Sequence, residues 1–185
     1  MITVHCTKKL LSRLPVGVGE QLRSEYSNHF AANDATPTLL SGWHGHLVTL
    51  QRRQCVLLVH DTTRFPVFIP ALKKGDFATL DYRFADSFMN TLLKTGIEEE
   101  VMELAVAQLA PLKIENTVNR SVLGTINQMV QHIQFAVEDG DVTIAEITGY
   151  RIGAWLADTP WSAKGVKGAI WAADEMADLL LLGNG

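Results

Sequence analysis

The stretch 43-WHGHLVTLQRRQCVLLVHDTTRFPVFI-69 decides the fold, because it carries the clearest strand pattern in the chain. Residues 43–51 alternate between two sets of side chains, as a strand with two different faces does. The first set is Trp43, Gly45, Leu47 and Thr49, and the second is His44, His46, Val48 and Leu50. Gln54–His60 predicts a buried strand, and Pro66 favours a sheet edge for the strand Phe65–Ile69. Short polar turns join the three strands, so we expect an antiparallel β-meander.

The remaining sequence predicts further strands at Ile2–Cys6 and Leu112–Glu115, together with several helices. The helices are expected at 8–14, 20–30, 77–95, 98–109, 121–137, 142–157 and 169–182. Branched residues within 142–157 leave a strand open there. The expected fold class is α+β, with a small antiparallel β-meander sheet packed against several α-helices and a mainly helical C-terminal half. No linker is visible, so we expect one domain over 1–185, β-rich in 1–72 and helical in 77–185.

Composition is that of an ordinary globular protein, with 47% apolar and 19% charged residues in a chain of 185. Cys6 and Cys55 lack metal-ligand spacing, so we expect two buried, reduced thiols. There is no secretion signal and no apolar run of the roughly 20 residues that cross a bilayer, so a cytoplasmic location and no membrane partner are expected. No phosphate-binding glycine loop, nucleophile elbow or Cys-x-x-Cys occurs, and no cofactor is expected.

The charge of −4 is unevenly distributed along the chain. Residues 1–92 hold 10 Lys/Arg and 7 Asp/Glu, a balance of +3, whereas residues 93–185 hold 6 and 13, a balance of −7. Basic residues of the first half could form a rim that contacts nucleic-acid phosphates, although solvated surface charge is the simpler and favoured explanation. These basic residues are Lys8, Lys9, Arg13, Arg52, Arg53, Lys73 and Lys74.

The segment 113-KIENTVNRSVLGTIN-127 carries the strongest functional signal, because polar residues gather where a helix begins. A helix N-terminus beside an arginine can bind a phosphate or carboxylate. A glycine inside the helix costs roughly 1 kcal/mol relative to alanine, so a ligand or a close backbone contact should offset it. The candidate ligand- or partner-binding residues are Asn119, Arg120, Ser121, Gly124 and Asn127. The structural alternative is that Gly124 lets the helix pack tightly on the sheet, Asn119 caps the helix, and Arg120 pairs with a carboxylate such as Glu115.

Two histidine patterns suggest weaker chemical alternatives. His44 and His46 share a strand face, and with His5 or His60 they could supply three nitrogens to a metal, although solvent-facing or packed histidines are the simpler explanation. His60 and Asp61 could form a general-base pair, but adjacent strand residues point to opposite faces. Turn chemistry explains Asp61 and its neighbours more simply. The sequence therefore leaves the catalytic residues unknown and predicts no metal, with His44 and His46 as the metal alternative.

Three runs resemble an uncharacterised bacterial family, domain of unknown function 6933, over about residues 1–137. The runs are MITVHCTKKLLSRLP, GWHGHLVTLQRRQCVLLVHDTTRFPVFIPALKK and NRSVLGTIN. The later run TPWSAKGVKGAIWAADEMADLL resembles the tail of a plasmid-encoded open-reading-frame family. The chain departs from the first family's pattern at His60-Asp61, where an Asn-Glu-like pair is expected, and at Gln128, where an acid is usual. The resemblance implies a bacterial α+β domain and supplies no reaction.

Three functional hypotheses follow. The first is a non-catalytic binding or regulatory module for a protein partner or a small anionic ligand, in a mobile-element, defence or toxin–antitoxin setting that only the resemblance implies. The second is an enzyme acting on a phosphate- or carboxylate-bearing substrate at Arg120, Asn127 and Ser121. The third is a nucleic-acid contact protein that uses the basic rim. A homodimer is also open, through the edge strand Phe65–Ile69 and the Trp-rich tail.

Overall fold

A computed structural model describes residues 1–16, 22, 36–117, 119–140, 142–162, 165 and 167–183. Its main sheet contains β1 (Ile2–Cys6), β2 (Trp43–Leu50), β3 (Arg53–His60), β4 (Pro66–Leu72) and β5 (Leu112–Glu115). The strand order is β4-β3-β2-β1-β5. β2, β3 and β4 form the predicted antiparallel meander, whereas β1 lies between β2 and β5 and runs parallel to both. The α+β prediction is confirmed, and the sheet proves to be mixed.

Helices occupy most of the second half of the described chain, as predicted. The helices of the described chain as a whole are α1 (Lys8–Leu11), a 3-10 helix (Lys74–Thr79), α2 (Leu80–Lys94), α3 (Glu99–Gln108), α4 (Arg120–Glu138), α5 (Gly149–Ala157) and α6 (Ala172–Leu182). A small hairpin of β6 (Pro160–Trp161) and β7 (Ile170–Trp171) separates α5 from α6. The helix expected near 20–30 lies outside the described residues, apart from residue 22.

The prediction of one helix over 142–157 is wrong in its first half. Residues 144–146 form a turn, and α5 begins only at Gly149. The side chain of Gln51, in the β2–β3 turn, accepts a hydrogen bond from Ile144 N–H at 2.8 Å and donates one to the Val142 carbonyl at 3.4 Å. A distant side chain therefore satisfies backbone groups that a helix would otherwise pair internally, and local propensity is overridden.

The two faces of the sheet are covered by different helices. Trp43 and Val4 belong to a core that includes residues of α2, α3 and α6. The opposite face packs Val59, Val48 and their neighbours against α4 and α5. Because successive strand residues point to opposite faces, β2, β3 and β4 contribute to both cores, whereas the apolar residues of β1 and β5 belong to the first core. The site described below lies on the α4 side, at the end of the sheet where α4 begins.

The predicted edge strand β4 is an edge in the sheet order, but it is not open. All residues of 65–69 are buried, and α5 packs against the strand. Gly149 makes this contact possible, because a Cβ atom there would lie 2.1 Å from the Phe68 carbonyl oxygen. This packing covers the strand on which the expectation of a homodimer partly rested, and the homodimer stays a prediction. A covering helix is one of the ways in which proteins protect a sheet edge.

Both cysteines are free and buried, as predicted. Burial raises the pKa of Cys6 to about 12 and also raises the pKa of Cys55. A thiol with a raised pKa is a poor nucleophile, so neither residue is a candidate for covalent chemistry. Within the described ranges, no helix combines the length and apolar character that a membrane span requires.

Candidate functional site

The strand register brings titratable side chains from separate parts of the sequence to one end of the sheet. His5 on β1 pairs in register with His44 on β2 and with Glu115 on β5. Residues in register on neighbouring strands project from the same face, so all three side chains lie together. Asp61 directly follows β3, and its N–H donates to the Gly42 carbonyl at 2.8 Å, which holds it beside the start of β2. Four residues thus form a polar cluster: His5, His44, Asp61 and Glu115.

His44 is fixed at both ring nitrogens. The backbone N–H of Asn119 donates to Nε2 at 2.7 Å, and Nδ1 lies 2.5 Å from the Asp61 Oδ1 atom. Since Nε2 accepts a hydrogen bond, the proton of the neutral ring is on Nδ1 and is donated to the carboxylate. His44 is only 3% exposed. It therefore connects the β3–β4 turn to the start of α4 and has no nitrogen left for a ligand.

His5 is the more accessible histidine of the cluster. Its Nδ1 atom hydrogen-bonds to the Thr117 hydroxyl and lies 3.5 Å from Glu115 Oε2. Its Nε2 atom lies 3.8 Å from Asp61 Oδ2, beyond ordinary hydrogen-bond distance. The His5 side chain is 19% exposed and the side chains of Asp61 and Glu115 are each 26% exposed. Solvent therefore reaches an imidazole held between two carboxylates.

Arg64 is buried beside this cluster with most of its guanidinium unpaired. The residue is 7% exposed, and its Nη2 atom donates to the Ser121 hydroxyl in the first turn of α4 at 3.3 Å. Its Nε and Nη1 atoms make no hydrogen bond within the described chain. Burial lowers the pKa of Arg64, and the nearby Asp61 carboxylate acts in the opposite direction. A buried cation with free donors is costly unless an anion accompanies it.

The backbone at Arg64 is also unusual, because its φ angle is +61°. This left-handed region is uncommon for residues other than glycine, asparagine and aspartate. Backbone hydrogen bonds join His60 and Arg64 at 3.0 Å and His60 and Phe65 at 2.9 Å, and these bonds hold the turn. The turn conformation therefore directs a long cationic side chain towards the start of α4.

The five predicted site residues divide into two groups. Asn119 caps α4 by accepting from Ser121 N–H at 2.9 Å, and Ser121 contacts Arg64, so these two residues join the cluster. Arg120, Gly124 and Asn127 are exposed. A helix rises 1.5 Å per residue, so Asn127 begins about 9 Å along the axis from Ser121. The five residues therefore do not converge on one point.

The structural alternative for this segment is confirmed for the Asn119 cap and wrong for Gly124 and for the pairing of Arg120 with Glu115. A Cβ atom at Gly124 would meet nothing within 4 Å, so this glycine does not allow close packing on the sheet. Glu115 pairs with Lys113 at 2.7 Å, and not with Arg120. The glycine-containing face of α4 is open to solvent.

The histidine alternatives also change in the folded chain. His46 lies on the same face as His44, and its pKa is lowered by burial and by Lys9. In the part of the chain that the structure describes, no three His, Cys, Asp or Glu residues are arranged to hold a metal ion. His60 faces the opposite core, where its Nδ1 atom contacts the Thr63 hydroxyl at 3.0 Å. The hydrogen-bond partner of Asp61 is therefore His44, and the pair of His60 with Asp61 that the strand alternation argued against does not form.

Sequence reasoning missed Thr117 entirely and considered His5 only as a metal ligand. The one signal in the sequence for His5 was that a histidine interrupts the apolar alternation of β1. That signal has no meaning until β1 is placed between β2 and β5, which the strand pattern alone does not specify. The residues of the predicted basic rim are all exposed and lie in three separate segments. These are α1 with the turn after it, the β2–β3 turn with the first residue of β3, and the start of the 3-10 helix.

Comparison with known proteins identifies the family but no characterised relative. The chain matches the family described as Domain of unknown function (DUF6933) over residues 3–175. No curated protein and no solved structure matches it. The match continues beyond residue 137, where the resemblance was expected to end, and the similarity of the tail to a plasmid-encoded family stays a prediction. Since the match covers far more than half of the sequence, the chain belongs to the DUF6933 family.

Proposed function

We propose that this domain binds a small phosphate- or carboxylate-bearing molecule at the start of α4. The single observation that carries the proposal is the buried Arg64 guanidinium, whose Nε and Nη1 donors are unpaired within the described residues while Nη2 contacts Ser121. A guanidinium presents several N–H donors in a planar fork that matches the oxygens of phosphate and carboxylate groups.

The position of this arginine adds to the argument. The 19-residue helix α4 begins beside it, and the aligned peptide dipoles of a long helix favour an anion at its N-terminus. Asn119 and Ser121 supply polar atoms at the same place. An anion there would pair with Arg64 and offset the cost of burying its positive charge. The nearby Asp61 carboxylate opposes the effect of burial on the pKa of Arg64 only in part, because that pKa is still lowered.

Inorganic phosphate and acetate are suitable probes, compared with chloride at equal ionic strength. Because a ligand of the native state stabilises it, phosphate should raise the melting temperature, by an amount equivalent to about 2.7 kcal/mol at 100 times its dissociation constant. Arg64→Asn removes the guanidinium and retains a residue type that tolerates positive φ. This variant should abolish the phosphate-dependent shift, as measured by differential scanning fluorimetry and by calorimetric titration.

Two arginine controls sharpen this experiment. Arg13→Gln, at an exposed position just after α1, should leave the shift unchanged. Arg120→Gln tests the neighbour that sequence reasoning favours, and a smaller loss than in Arg64→Asn is expected because Arg120 is exposed. The proposal fails if wild-type protein shows no anion-dependent stabilisation, or if folded Arg64→Asn retains it in full.

An enzymatic role at the same site is the second candidate. It is favoured by the His5 imidazole between the Asp61 and Glu115 carboxylates, because such a group can transfer a proton to or from a bound ligand. A panel of phosphate monoesters and carboxylate esters would be screened for turnover. His5→Asn should lower any turnover about 100-fold and leave anion binding intact. No turnover by wild-type protein that binds phosphate would remove this candidate and keep the first.

The remaining functional hypotheses stay as proposals from the sequence. A bacterial, cytoplasmic setting and a link to mobile-element, defence or toxin–antitoxin systems derive from the resemblance alone. Nucleic-acid contact through the basic rim predicts that Lys9→Glu with Arg53→Glu weakens a salt-sensitive interaction. A homodimer now depends on the C-terminal region, where Trp155 and Trp171 are 40% and 48% exposed.

A further inference from the structure

A cavity lies along the second half of α4, away from the proposed anion site at the start of that helix. It has a volume of about 470 Å³, within the range of small-molecule sites. One wall is α4, and the opposite wall is the segment around the β6–β7 hairpin. The lining residues are Gln128, Gln131, His132, Pro160, Trp161, Ser162, Gly168 and Ala169. None of them belongs to the polar cluster at the start of α4.

The aromatic part of this cavity is held in place by the fold. Trp161 is 3% exposed, and its Nε1 atom donates to the Leu156 carbonyl at 2.7 Å. The His132 ring lies against it, with ring centroids 5.0 Å apart and an interplanar angle of 64°. Trp155 lies on another side of the imidazole at 6.3 Å. Two tryptophans therefore orient an exposed histidine ring, on which a planar ligand can stack.

The polar part of the lining is uncharged. Gln128 and Gln131 line the cavity, and each carries a carbonyl acceptor and an amide donor. No described lining residue is Asp, Glu, Lys or Arg. A carboxamide can bind an adjacent donor and acceptor on a base edge with two hydrogen bonds. These features favour a neutral heterocycle over a charged ligand.

We infer that this cavity binds a nucleobase-type heterocycle, stacked on His132 and read at its edge by Gln128 and Gln131. The inference is independent of the anion site, because it uses other residues and a ligand without charge. It names a substrate class that neither the family match nor the sequence motifs assign.

The experiment is a titration of the full chain with adenosine, guanosine, cytidine and uridine, followed by calorimetry and by saturation-transfer NMR. At least one nucleoside should bind. His132→Ala and Gln128→Ala should each weaken this binding about tenfold, because stacking and edge recognition are each lost in part. Gln134→Ala is the matched control, since this residue is exposed on α4 but does not line the cavity, and it should bind as wild type does.

Circular dichroism would verify that the variants are folded. The inference is overturned if no nucleoside binds, or if folded His132→Ala and Gln128→Ala both bind as tightly as wild type. Inorganic phosphate forms a separate arm of the experiment. Phosphate binding without nucleoside binding would keep the anion site and reject the heterocycle cavity, whereas the reverse result would reject the proposed function and keep this inference.

Discussion

Two faces of one sheet end are built from adjacent residues yet have opposite characters. On one face Trp43 contacts Phe84 and Phe88, with ring centroids 4.9 and 5.8 Å apart, in a fully buried aromatic cluster. On the other face, one residue further along β2, His44 contacts Asp61 and the start of α4. The alternation of a strand separates the two environments. What covers each face therefore decides whether it becomes core or site.

The two histidines at this end show the same difference. His60 lies opposite Trp43 in the β2–β3 ladder, is 2% exposed, and its Nε2 atom has no partner in the described structure. Burial lowers the pKa of His60 to about 4. His44 is equally buried, but each ring nitrogen has a partner. Burial alone therefore does not distinguish a packing histidine from one in a functional cluster; the hydrogen-bond partners do.

Truncation on the aromatic face should have the largest effect. Trp43→Ala removes a fully buried side chain and leaves a cavity, which should cost about 3–5 kcal/mol of unfolding free energy. His44→Ala, its neighbour on the other face, should cost less because that region is partly exposed. Urea denaturation monitored by circular dichroism would measure both. A larger loss for His44→Ala than for Trp43→Ala would contradict the contrast, and Trp43→Phe provides a milder variant if Trp43→Ala does not fold.

Acid should act mainly through the packing histidine. The pKa of His60 falls from 6.5 in the unfolded chain to about 4 in the folded one, so protonation favours unfolding. The unfolding free energy is therefore highest above pH 6.5 and decreases by about 3 kcal/mol as the pH falls from 6.5 to 4. His60→Gln should flatten this dependence between pH 6.5 and 5, leaving the smaller contribution of His46, whose pKa is also lowered. An unchanged slope in folded His60→Gln would contradict this assignment.

On the polar face, His44 and Asp61 should show a strong coupling in their contributions to the unfolding free energy. A double-mutant cycle of His44→Ala and Asp61→Ala should give an interaction energy of about 1.5–3 kcal/mol, because the hydrogen bond has a charged acceptor. Unfolding free energies of the four proteins at pH 7.5 provide the measurement. Additivity within about 0.5 kcal/mol would mean that the pair contributes little and that His44 is held by Asn119 and packing alone.

The smallest effect should be a stabilisation. Gly124→Ala should raise the unfolding free energy by about 0.5–1 kcal/mol, since a Cβ atom there meets open space and alanine favours the helix. Gly149→Ala provides the opposite case, because its Cβ atom would lie 2.1 Å from the Phe68 carbonyl oxygen and should destabilise the protein. Destabilisation by Gly124→Ala would show that the outer face of α4 is packed against something in solution.

Much of the fold could be predicted because local patterns encode it. Alternation defined β2, branched residues defined β3, and the helical period defined α2 and α4 within a few residues. The candidate site was predicted only in part. Asn119 and Ser121 were found because capping is a local signal, whereas Arg64, His5 and Glu115 reach the site through contacts between segments far apart in the sequence.

The sequence by itself determined which segments form strands and helices and which residue of α4 caps it, because these depend on neighbours within a few positions. Only the tertiary structure decided that β1 lies between β2 and β5, that Gln51 holds the chain before α5, and that Arg64 is buried beside Ser121. Pairing and burial are set by the free energy of the whole packed chain, in which a long-range contact can outweigh a local preference.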